Sequence, residues 1–146
     1  MNPQEGMAAS NNELIEARIR EINDALQVLE DILAKQFEKL TVYERLSLRY
    51  LVIQLVEASA SICIRILLSA YNEAVEGFPQ CFMRLGVRGI IPEDLASRLA
   101  SAARLRNLLI HRYWVISDEK VYESIKNGLR DFVDFTTYVR TFLKGK

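Results

Sequence analysis

Histidine occurs once in this chain, tryptophan once and cysteine twice, and each scarcity excludes a class of function. A zinc site needs about three or four ligands at short spacings, and Cys63, Cys81 and His111 are too few and too far apart to supply one. Two cysteines are also too few for the disulfide framework of a small secreted domain, so a reduced, cytoplasmic setting fits best. Net charge is absent as well: 19 basic residues balance 19 acidic ones. No overall field therefore draws the chain to nucleic acid or to an anionic membrane, and any polyanion must be held by a local patch. The opening stretch MNPQEGMAASNN lacks the basic and apolar regions of a signal peptide, and residues 1–11 are expected to be a disordered N-terminal segment. No internal repeat or low-complexity tract stands out. One apolar run, Leu51 to Tyr71, is long enough to consider as a membrane span. It contains Gln54, Glu57, Arg65 and several serines, which are costly in lipid, so it reads as a buried helix with no membrane partner.

What the chain does have is helical periodicity. At 146 residues, half of them apolar, it is long enough for a single domain, residues 12–146, with a proper core. Asn11 or Asn12 can cap a first helix reaching about Leu40, with Leu14, Ile15, Ile19, Ile22, Leu26, Leu29 and Leu33 as its apolar positions. Thr41 and Glu44 form a capping-box pair at the start of a second helix, which should reach about Glu76 before Gly77 and Pro79 stop it. The segment GFPQCFMRLGVRGII reads as a connector with a short helix inside. Its GVRG has the shape of a nucleic-acid-clamping loop but reads better as turn chemistry. Pro92, Glu93 and Asp94 suit the first turn of a helix running to about His111. A brief connection, RYWVIS, leads to a last helix from about Asp118 to Leu143, striped by Val121, Ile125, Leu129, Phe132, Phe135, Val139 and Phe142. Short loops between long helices predict an all-α, antiparallel bundle of four main helices plus a short one.

The neutral total hides a polarity. Between Leu95 and Ser117 there is no acidic residue, while the same span carries Arg98, Arg104, Arg106, His111 and Arg112. Cations at a helix C-terminus complement its dipole, which accounts for His111 and Arg112. Arg106 is different. At about 100° per residue it shares a face with Leu95, Leu99, Ala102 and Leu109, where an unpaired charge is expensive. A carboxylate in the bundle, with Glu57 the obvious candidate, would solve the problem. So would an interface with a second protein, or an anionic ligand. His111, five residues on, points about 140° away on an ideal helix. Either the helix unwinds near His111 or another subunit completes the site. Tyr113 is expected to leave its hydroxyl in solvent, and Trp114 to pack under the connection.

The spacing of Arg106, His111 and Tyr113 resembles the R-x4-H-x-Y signature of HEPN domains, and of the HepT-like toxin subfamily in particular. The resemblance extends over most of the chain, through GIIP, RN and HRYW in their helical context and through SDEKVYESIKNGLRDFVDF. It implies a homodimer whose two motif helices meet in a composite cleft. It also implies metal-independent RNA cleavage without a cofactor, and pairing in a type VII toxin–antitoxin system with an MntA-like nucleotidyltransferase that attaches AMP to Tyr113. In that frame Arg106 and His111 are the catalytic residues, Asn107 supports them, and Arg104 and Arg112 hold the RNA backbone. A titrating imidazole suits acid–base work, and a guanidinium fork suits phosphate oxygens. Two other readings stand beside this one. The chain could be a non-catalytic HEPN partner that binds a nucleotide or docks a nucleotidyltransferase, or a purely structural helical dimer with Arg106 simply salt-bridged.

Overall fold

Leu48, Leu55, Val56, Ile62, Cys63 and Leu67 are each withdrawn from solvent, and they point to several sides of one helix, Val42–Tyr71. That helix is the axis of the fold. The computed structural model describes the backbone of residues 3–145 and the side chains of residues 11–145. Among these, α1 spans Pro3–Leu33, α2 Val42–Tyr71, α3 Phe78–Val87, α4 Glu93–His111 and α5 Asp118–Lys144. Single 3-10 turns lie at Phe37–Lys39 and Tyr113–Val115. The architecture is all-helical, four long helices and a short one, as the periodicity predicts.

Polar contacts fix the directions. Asn11 donates to Ser69 Oγ near the far end of α2 at 3.2 Å, and Lys35, just past α1, meets Glu44 at the start of α2 at 2.6 Å. The two helices are therefore antiparallel. Arg140 of α5 reaches Glu16 of α1, and the Tyr122 hydroxyl donates to the Lys35 carbonyl at 2.6 Å, so α5 also opposes α1. The stripe foreseen on α5 supplies Phe135, which meets Phe82 of α3 edge-to-face with ring centres 5.9 Å apart. Each fully buried Leu, Ile or Phe contributes about 1.5–3 kcal/mol of transfer free energy. α2 is long and apolar enough to cross a bilayer by length and composition; here most of its apolar surface is buried against the other helices.

Several boundaries differ from expectation, each for a local reason. Helical backbone extends upstream of Asn11 to Pro3, a residue suited to a first helical turn. The expected disordered segment 1–11 falls partly outside the described residues. α1 stops at Leu33, not near Leu40, and just past its end the Tyr122 hydroxyl donates to the Lys35 carbonyl. α2 starts with the expected box, Glu44 N donating to Thr41 Oγ1 at 3.1 Å and Thr41 N to Glu44 Oε1 at 3.0 Å. It ends at Tyr71, ahead of Glu76, because Asn72 takes the left-handed conformation (φ 51°) and caps Leu67 and Leu68. Glu73 then turns away to bind Arg84 and Arg88.

GVRG is turn chemistry. Gly89 has φ 76°, and a Cβ on Gly86 would sit 2.8 Å from that of Ala96, so glycine is what lets α3 fold back onto α4. Cys63 and Cys81 face each other between α2 and α3, with Cα atoms 6.2 Å apart, within reach of a disulfide that a reduced cytoplasmic setting would keep open. Their spacing in sequence carried no sign of that pairing.

Candidate functional site

α4 begins cleanly. Pro92 stands at its N-cap, and Glu93 and Asp94 occupy the first turn. The hydrogen bond from Arg98 holds the Asp94 carboxyl below its ordinary pKa. The helix then runs unbroken through His111. Unwinding near the histidine is thus ruled out as the way to bring Arg106 and His111 together. Along the same rod they diverge by about 140°, and within one chain they do not form a dyad.

Arg106 lies where its stripe predicts, with only 18% of its side chain exposed. Its Nη2 donates to Glu57 Oε1 at 2.5 Å, its Nη1 to Asn107 Oδ1 at 3.0 Å, and the guanidinium stacks over the Phe78 ring at 4.7 Å. Nε is buried without a hydrogen-bond partner among the described residues. Glu57 is therefore the carboxylate partner that the sequence suggested, yet it is itself 47% exposed. It lines a polar cleft with Arg18, Glu21, Tyr50 and Gln54. The arginine is held from below by Phe78 and Asn107 and faced by a carboxylate that solvent can reach. A phosphate arriving there would compete with Glu57 for a fork already in place.

The remaining motif residues lie at the surface. Arg104 is exposed and donates to Ser101 Oγ at 3.1 Å. His111 and Arg112 are exposed at the end of α4, where the Arg112 charge suits the helix dipole. Arg112 leaves helical geometry while its N–H still bonds Leu108 O at 2.8 Å. Tyr113 is 62% exposed, in line with expectation. Trp114 is not packed under the connection: it is 69% exposed, with its ring set edge-to-face against Tyr113 at 5.3 Å.

Arg49 explains that display. From α2 it donates to the backbone carbonyls of Tyr113 (3.0 Å) and Ile116 (2.6 Å) and to Asp118 Oδ1 (2.5 Å). The turn is pinned from its inner side, and the aromatic rings project outward. Sequence spacing gives no sign of Arg49 or Phe78, because both reach the motif across long chain separations. Among the described residues no group of His, Cys, Asp and Glu could hold a metal ion.

A family model described as ribonuclease HepT-like matches residues 18–139. No curated protein matches the sequence. Several solved structures share the fold. One is a toxin–antitoxin complex with AMP-PNP, at TM-score 0.80 and 18% identity, over 88% of this chain and 98% of that one. Another is a tri-AMPylated HEPN toxin of Shewanella oneidensis in complex with an MNT antitoxin, at TM-score 0.80 and 19% identity, over 88% and 97%. A third is YutE of Bacillus subtilis, a cytosolic protein of unknown function, at TM-score 0.71 and 18% identity, over 86% and 90%.

Proposed function

The chain belongs to the ribonuclease HepT-like family, and from that premise we propose that it is a metal-independent endoribonuclease toxin acting in the cytoplasm as a homodimer. The observation that carries this reading is Arg106: a guanidinium preset on an apolar face, with a replaceable surface carboxylate in front of it. In the proposed reaction His111 of one copy removes the proton from a ribose 2′-hydroxyl. The 2′-oxygen attacks the adjacent phosphorus, and the P–O5′ bond breaks. A second imidazole, from the other copy, protonates the departing 5′-oxygen. Arg106 displaces its bond from Glu57 to the phosphate and stabilises the charge that builds up on the phosphorane. Asn107, bonded to that guanidinium, keeps its fork aligned. Arg104 and Arg112 hold the RNA backbone on either side.

Control is proposed to act through Tyr113. An MntA-like nucleotidyltransferase antitoxin would attach AMP to the exposed hydroxyl, adding bulk and about one negative charge per nucleotide beside Arg112 and His111. That a tri-AMPylated HEPN toxin of the same fold is found in complex with an MNT antitoxin supports control by AMP addition.

Incubating the purified protein with RNA in EDTA tests the proposal. Cleavage should persist, and the upstream products should carry 2′,3′-cyclic phosphate. His111→Ala should fold and dimerise yet be inert; retained cleavage in that variant would falsify the acid–base assignment. The ion pair with Glu57 favours a second reading, a non-catalytic HEPN partner in which Arg106 serves structure alone. That reading requires the wild-type protein to leave RNA intact under every metal condition.

A further inference from the structure

Trp114 is the chain's only tryptophan, and it stands more exposed than any other large apolar side chain near the motif. An exposed indole forgoes a large hydrophobic contribution to the fold. A loose loop would explain that trivially, but this turn is not loose. Arg49 clasps it through two backbone carbonyls and Asp118, and Val115 N bonds Arg112 O at 2.9 Å. Tyr113 braces the indole edge-to-face at 5.3 Å and 86°. The ring is held out in one pose, with a flat apolar face available.

Its surroundings identify what would cover it. Arg112 and His111 lie two and three residues before it and Arg104 about two turns further back along α4, all exposed. No acidic residue occurs from Leu95 to Ser117, and Asp118, the first one after it, is neutralised by Arg49. Flat rings rimmed by cations match a polyanion that carries flat rings of its own. A duplex hides its bases in the stack, whereas a single strand can splay one onto an aromatic face. In the proposed dimer the second copy would bring its own His111 and Arg112 to the same groove, which adds cations near the indole and strengthens the match to a polyanion.

We infer that Trp114, braced by Tyr113 and displayed by the Arg49 clasp, is a base-stacking platform that restricts the site to single-stranded RNA. The inference rests on the proposed ribonuclease function for the identity of the polyanion, but it can fail separately. Because Trp114 is the sole indole, tryptophan emission reports it alone. The probe is a 2′-O-methyl oligoribonucleotide, which binds but cannot be cleaved, used single-stranded or annealed to its complement. The single strand should quench the emission and the duplex should not. Trp114→Ala should weaken single-strand binding about five- to a hundred-and-fiftyfold, the range for one lost stacked base, and Trp114→Phe should restore most of it. Circular dichroism checks that both variants fold. Unchanged affinity in Trp114→Ala, or equal quenching by the duplex, overturns the platform while leaving the nuclease reading intact. Emission that shifts to the blue with rising protein concentration and no RNA overturns it too, since the indole is then covered by a second copy. Quenching by the single strand in a protein that never cleaves RNA would keep the platform and remove the nuclease.

Discussion

Replacing Glu57 by glutamine separates a resting partner of Arg106 from a structural one. The amide keeps a hydrogen-bond acceptor for Nη2 and removes the charge. Glu57 is 47% exposed and Arg106 18%, so solvent screens the pair and its loss should cost at most about 1 kcal/mol of stability. That corresponds to a fall in Tm of roughly 2–4 °C for a domain of this size. The effect on RNA should run the other way. A phosphate held by the guanidinium at ordinary hydrogen-bond distances would lie roughly 5 Å from the carboxylate. At an effective dielectric of about 40–80 the repulsion relieved is about 1–2 kcal/mol, or roughly five- to thirtyfold in affinity. Steady-state cleavage should therefore show a KM lower by about that factor and a kcat changed by less than about threefold, and the gain should shrink as salt is raised. A fluorescence-polarisation titration with uncleavable RNA measures the same change without turnover. If Glu57→Gln binds RNA no better, or loses kcat by an order of magnitude, the carboxylate is a fixed support of the arginine and the displacement step is wrong.

Other variants probe neighbouring groups. Arg106→Ala should lower kcat by about a hundredfold or more, the usual loss of a charge-stabilising donor; Arg106→Lys should recover little of it because a point charge lacks the planar fork, and single-turnover cleavage would read both. Tyr113→Phe should cleave RNA at about the wild-type rate and resist silencing through modification, visible by mass spectrometry and a growth assay with the antitoxin co-expressed. For Glu73, hydrogen bonds from Arg84 and then Arg88 hold the carboxyl below its ordinary pKa. Its contribution to stability is complete above that ordinary value and disappears as pH falls through the lowered one. Thermal melts should show Glu73→Gln less stable than wild type near neutrality, with the gap closing in acid; a gap independent of pH would contradict the assignment.

Features written in short-range chemistry were legible in the sequence. The Thr41–Glu44 box, the Pro92 start of α4 and the stripe of α5 all depend on residues within a turn or two, and they lie where periodicity puts them. The Arg106, His111 and Tyr113 spacing was legible for the same reason. Glu57 could be named as a candidate because a charge on an apolar stripe demands a partner, though nothing local chose between a carboxylate and a ligand. Three features were out of reach. The Arg49 clasp joins positions more than 60 residues apart. The meeting of Cys63 with Cys81 depends on how α3 folds back on α2. Trp114 misled because size and hydrophobicity argue for burial, whereas the turn that carries it is anchored by its backbone and needs nothing from the indole. Asn72 is an intermediate case: its tolerance of the left-handed region is a local property, but Gly77 and Pro79 were the louder signals further on.

The straightness of α4 through His111 bears on heredity as much as on catalysis. One chain shows Arg106 and His111 to different sides, and the proposed step takes one imidazole from each copy, so a working groove would need both chains intact. A His111→Ala allele would then be harmless alone and would disarm a wild-type partner in the same cell. With equal expression and random pairing, about a quarter of the dimers would keep both imidazoles. A silent gene that quiets a toxic one is a dominant-negative allele. An arrangement in which each chain served its own phosphate would instead leave about half of the sites working.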